Sequence, residues 1–118
     1  MIKNIEKDKN IFLAEITGMI TKEDVESVIP IVEEVLKQYK RMKCLIFLND
    51  VKGYTLEGFL ADFNYYLKHK DVFDYVAIVG DKELEKALVE LFAKLMPGKA
   101  KYFDISELDK AKEWIKEI

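Results

Sequence analysis

Three aspartates stand where a chain of this pattern would gather a site. Asp50 follows the apolar run Cys44-Leu45-Ile46-Phe47-Leu48 and Asn49, Asp81 follows Tyr75-Val76-Ala77-Ile78-Val79-Gly80, and Asp104 follows Ala100 to Phe103. Each lies just past a segment that reads as a strand, and parallel sheets bind ligands where strand carboxyl ends and crossover loops converge. Asn49, Asp50, Gly53, Tyr54, Gly80, Asp81 and Asp104 are therefore the residues a small polar pocket would draw on. Carboxylates at three strand ends could also ligate a divalent cation. The competing assignment is helix capping, because Asp81 precedes a helical pattern and Asp104 sits just before Ser106. Capping is adopted, and no metal or cofactor is assigned.

Other chemistry is thinner still. Gly80-Asp81 resembles a phosphate-binding helix start, but it lacks the glycines of a dinucleotide fingerprint and the Gly-Lys-Ser/Thr of a P-loop, and its carboxylate repels phosphate. His69 is the one histidine, flanked by Lys68 and Lys70 at a helix end, where it complements the helix dipole. Ser27 and Ser106 both fall in helical patterns, so no nucleophile and base pairing emerges. Cys44, the one cysteine, lies in an apolar run and reads as a small buried hydrophobe. No catalytic residue is assigned, and the chain is read as a non-enzyme.

Aromatic residues are a second signal. Tyr54, Phe59, Phe63, Tyr65, Tyr66, Phe73 and Tyr75 are concentrated in one short segment. Phe59, Phe63 and Tyr66 have the spacing of a buried helical stripe, whereas Tyr54, Tyr65 and Trp114 are harder to bury. Val89 and Met96 fall off the main stripe of their helix. Exposed aromatics anchor protein interfaces or line apolar pockets, so a protein partner or self-association is expected. The alternative is a small carrier that shelters an apolar or lipid-like ligand beneath the aromatic helix.

Positioning these groups requires an alternating framework. Met1 to Glu6 and Ile11 to Thr17 read as a hairpin around Lys7-Asp8-Lys9-Asn10, closed by Gly18. Thr21 and Asp24 cap a helix whose Val25, Val28, Ile29, Val32, Val35, Leu36 and Tyr39 form one stripe; Pro30 bends it without ending it. Cys44 to Leu48 is a central parallel strand covered on both faces, ended by Asn49-Asp50. A helix from about Thr55 to His69 is expected to bury Leu56, Phe59, Leu60, Phe63, Tyr66 and Leu67, with Tyr65 on the opposite side. Strand Tyr75 to Val79 precedes a helix carrying Leu84, Ala87, Leu88, Leu91, Phe92 and Leu95, stopped by Pro97-Gly98. Ala100 to Phe103 is a short strand, and Ser106 with Asp109 caps a last helix that packs Leu108, Ala111, Ile115 and Ile118. The order β-β-α-β-α-β-α-β-α predicts an α/β fold with a mostly parallel sheet and an antiparallel edge, in one domain over residues 1–118.

At 118 residues with a net charge of −3, the chain has the wrong sign for neutralising nucleic-acid phosphates. No apolar stretch approaches the length of a membrane span, and the start lacks a signal peptide's apolar region. A cytoplasmic protein is expected, with no nucleic-acid partner and no membrane insertion.

Thr21-Lys22-Glu23-Asp24 leading to Val28-Ile29-Pro30, the run Leu45 to Gly53, the turn Ala77-Ile78-Val79-Gly80-Asp81, Tyr102-Phe103, and Ala111-Lys112-Glu113-Trp114-Ile115 occur in family order. Together they resemble the SpoIIAA-like proteins of the STAS superfamily, named for sulfate transporters and anti-sigma factor antagonists. The resemblance spans essentially the whole chain and implies the hairpin followed by helices alternating with strands. In anti-sigma antagonists, a serine or threonine opening the helix after the central strand is phosphorylated by a partner kinase. The corresponding stretch here, Gly53-Tyr54-Thr55-Leu56-Glu57-Gly58-Phe59, lacks the usual Asp-Ser-Ser-Gly or Asp-Ser-Thr-Gly. Only Thr55 offers a serine- or threonine-type hydroxyl, and Glu57 lies near the acceptor position. The chain is therefore read as a STAS-type binding or regulatory module without the phospho-switch, a constitutive phosphate-like charge at Glu57 being the alternative. The strand ends, the helix start at Thr55 and the aromatics together give Asn49, Asp50, Gly53, Tyr54, Thr55, Glu57, Tyr65, Gly80 and Asp81 as the candidate ligand or partner surface.

Overall fold

Strand β1 (Ile2–Asp8) turns back at Lys9 and Asn10 into β2 (Ile11–Ile20), tighter than the four-residue turn expected, with Lys9 at φ 55°. The computed structural model describes residues 1–69, 71–82, 86 and 99–118. Helix α1 (Lys22–Gln38) begins at the expected cap: the Thr21 hydroxyl accepts from the Asp24 amide, and the Asp24 carboxylate accepts from the Thr21 backbone N–H. The helix continues through Pro30, which stays at the exposed side, while Val25, Val32 and Val35 are buried.

Strand β3 (Met42–Tyr54) is longer than the apolar run that announces it. Asn49-Asp50 does not end it. Asp50 takes φ 56° and Gly53 φ 137°, and Gly18 in the neighbouring strand takes φ 68°, so the parallel β2–β3 ladder continues to Ile20 and Tyr54 through irregular register. Helix α2 (Leu56–His69) leads to β4 (Phe73–Gly80), and β5 (Lys99–Asp104) pairs beside it. The expected helix from Leu84 to Leu95, with Val89 and Met96, lies outside the described residues.

The last turn corrects a detail. Asp104, not Ser106, is the capping residue: its carboxylate accepts from the Ser106 amide at 3.0 Å, and Glu107 accepts from the Asp104 backbone N–H. A 3₁₀ turn over Ile105–Glu107 then runs into helix α3 (Leu108–Glu117), which buries Ala111 and Ile115 completely and leaves Ile118 exposed.

The described strands form one sheet in the order β1-β2-β3-β4-β5, antiparallel only between β1 and β2. One face carries Phe12, Ala14, Met42 and Cys44 packed with Val32 and Val35 of α1. The other carries Ile11, Leu45, Ala77, Val79 and Phe103 packed with Ala111 and Ile115 of α3. Strand alternation sends neighbours to opposite faces, so central Leu45 and Cys44 serve different cores.

Candidate functional site

Helix α2 is where sequence pattern and structure part. The residues expected to be buried are open to solvent: Leu56 is 75% exposed, Phe59 42%, Leu60 46%, Phe63 42% and Leu67 49%. Tyr66 is half-buried and stacks on Phe73. Tyr65, expected to project outward, instead packs against the core shared with α1, and its buried hydroxyl has no hydrogen-bond partner among the described residues.

The physical cause lies in the first turn. Gly58 is buried, and a Cβ built on it would stand 2.5 Å from the Ile20 carbonyl oxygen and 2.9 Å from the Thr21 carbonyl carbon. Only a residue with no side chain lets α2 approach the β2–α1 junction that closely. Tyr65, two turns on, follows Gly58 onto the same face. Thr55 reinforces the seat: its amide donates to the Ile20 carbonyl at 2.9 Å, and its hydroxyl accepts from the Gly58 amide at 3.0 Å. The Leu/Phe stripe is thereby turned away from the sheet.

Asp62 is the residue that sequence reasoning missed. It lies one helical turn after Gly58 on α2, and its carboxylate accepts from the Tyr54 hydroxyl at 2.9 Å. Asp62 is exposed to solvent, but neighbouring protein atoms take part of the water from its carboxylate. That desolvation pushes its pKa up, and the Tyr54 hydrogen bond only partly offsets it. Burial among the same atoms, and then the charge of Asp62, push Tyr54 upward as well. Tyr54 also sets its ring edge-on to Phe59 at 6.1 Å, and Phe59 lies 5.9 Å from Phe63. A charged residue four positions after a glycine is the only sequence signal for Asp62, and it is legible only when the glycine is known to face inward.

The remaining candidates separate. Asp81 and Asp104 do meet, with Lys82, Lys86, Tyr102 and Glu107, around a cavity of about 120 Å³ at the β4 and β5 carboxyl ends. Lys82 ties this edge to β3 by donating to the Val51 carbonyl at 2.8 Å. Asp50 instead pairs with Lys52 at 3.1 Å. Among the described residues, the three aspartates are not gathered to hold a metal ion. Asn49 points to β2, donating to Glu15, which Asn4 also bonds from β1. Gly80 is buried at its strand end, Gly53 is half-buried, and Glu57 is exposed on the first turn of α2. Cys44 is a buried thiol that desolvation pushes up to about 12, so it stays protonated and unreactive near neutrality. The capping of a following helix by Asp81 falls outside the described residues.

The SpoIIAA-like family model matches residues 11–116. No curated protein matches. A solved structure, that of an uncharacterised DUF3478-family protein with a SpoIIAA-like fold from Shewanella loihica PV-4, superposes with a TM-score of 0.83 at 28% identity, covering 97% of this chain and 93% of that one.

Proposed function

Because the chain belongs to the SpoIIAA-like family, we propose that it works as a non-enzymatic, STAS-type binding or regulatory module that docks a protein partner on helix α2. One observation carries this reading: Leu56, Phe59, Leu60, Phe63 and Leu67 line a single exposed helical face. Isolated exposed apolar residues are ordinary, but a contiguous stripe of large ones costs solubility unless something covers it. Amphipathic helices present such i, i+3, i+4, i+7 anchors to apolar grooves or to one another. Thr55 carries no switch in this reading, because its hydroxyl is committed to capping α2.

The test is a comparison of associations rather than of activities. Chemical crosslinking and sedimentation of the wild-type chain, alone and with extract of its source, are set against Leu60→Glu/Phe63→Glu. The double variant is expected to keep its folded circular dichroism and to lose its complexes or self-association. Complexes that survive the double variant unchanged sink the reading.

The alternative, a carrier for an apolar or lipid-like molecule beneath α2, draws on Ile46 and Ile78, which lie on adjacent central strands and are only half-buried. Native mass spectrometry decides it by the presence or absence of a retained ligand mass.

A further inference from the structure

We propose that Tyr54, Phe59 and Asp62 form a binding site for a small organic cation, a quaternary or alkyl-substituted ammonium. Asp62 makes no ion pair with any described residue, and one of its oxygens is fixed by the Tyr54 hydroxyl at 2.9 Å. The ring that holds the carboxylate is itself set edge-on against Phe59, so one tyrosine joins a negative charge to an exposed aromatic wall. Tyr54 and Phe59 are each more than two-fifths exposed, and Phe63 extends the wall.

Ligand classes sort themselves against this arrangement. An anion meets the Asp62 charge and is repelled. A metal ion needs several oxygen ligands, and this site supplies a single carboxylate. A neutral apolar molecule covers the rings but leaves the Asp62 charge answered by the Tyr54 hydroxyl alone. A substituted ammonium satisfies both halves: its methyl or methylene groups lie on the ring faces, where the quadrupole attracts positive charge, and the nitrogen charge answers Asp62. Being weakly hydrated, it also gives up its water more readily than an inorganic cation. The site needs no protein on α2, so it stands apart from the docking reading while sharing Phe59 with it.

Choline and its neutral isostere 3,3-dimethyl-1-butanol have nearly the same shape and differ in charge. Each is titrated into the isotope-labelled full chain and followed by nuclear magnetic resonance. Choline is expected to shift the signals of Tyr54, Phe59 and Asp62 and to bind at least about tenfold more tightly than the isostere. Asp62→Asn is expected to bring choline down to the level of the isostere while leaving the isostere unchanged. Equal binding of the two compounds by the wild-type chain overturns the proposal, whether or not the variant folds. So does choline binding that ignores Asp62→Asn, or an absence of shifts at these residues at millimolar choline.

Discussion

Gly58 sets how closely α2 seats on the β2–α1 junction. Replacing glycine by alanine within a helix ordinarily gains about 1 kcal/mol, because the backbone of glycine loses more freedom on folding. Here the added carbon would meet the Ile20 carbonyl oxygen at 2.5 Å, and a backbone atom cannot rotate aside. Overpacking of that kind costs about 1–3 kcal/mol, so the sign reverses. Gly58→Ala is expected to lower the stability measured by urea unfolding by about 1–2 kcal/mol. A stabilised variant would mean that the close seat of α2 on the β2–α1 junction is absent in solution. The same contact explains why Asp62 escaped the sequence reading: nothing in the residue type of Gly58 says that a carbonyl sits against it.

At the scale of elements, α1 and α2 show which parts of a helix can be read from a chain. In α1 the cap, the period and the buried side agree, because Thr21, Asp24 and the valine stripe all point one way. In α2 the period is equally plain, but the phase is set by Gly58 and the stripe faces out. Apolar periodicity reports that a surface will be covered, and says nothing of whether its own fold or another molecule covers it. Strand β3 is similar: Asn49-Asp50 reads as a stop, yet Asp50 and Gly53 adopt positive φ and the pairing with β2 carries on. The α1 cap also makes a pH prediction. Hydrogen bonds from the backbone and hydroxyl of Thr21, helped by the Met1 amino group 3.4 Å away, hold the Asp24 carboxyl below its ordinary pKa. A depressed folded pKa stabilises the protein above the unfolded pKa, and that gain is lost as pH falls through the folded value. Asp24→Asn is expected to cost about 1 kcal/mol at neutral pH, with the difference from wild type shrinking in acid. Thermal unfolding at a series of pH values checks it, and a difference that is constant with pH would remove Asp24 ionisation as the cause.

For the whole molecule, sequential strand order and chirality fix where the helices go. Connections β2-α1-β3 and β3-α2-β4 both step the same way across the sheet, so right-handed crossovers place α1 and α2 on one face. Helix α3 follows edge strand β5 and closes the other face through Ala111 and Ile115, which are fully buried. The alternation of apolar runs and amphipathic stretches made this topology legible in the chain, because few arrangements satisfy both short connections and a covered parallel sheet. Two cores on opposite faces of one sheet have a thermodynamic consequence. Each contains residues of β2 and β3, including Ile11 with Leu45 on one side and Phe12 with Cys44 on the other, so the same paired strands support both cores and couple them. Trp114 packs against Tyr75 and Phe103 in the α3 core and makes its fluorescence a local probe there, whereas far-ultraviolet circular dichroism follows all elements. Ile115→Ala removes a side chain with no solvent exposure and is expected to cost about 2–5 kcal/mol. In that variant, as in wild type, fluorescence and circular dichroism should give one coincident urea transition. Loss of the tryptophan signal well before the circular dichroism would show that the α3 face melts alone, and the shared sheet would then not couple the two cores.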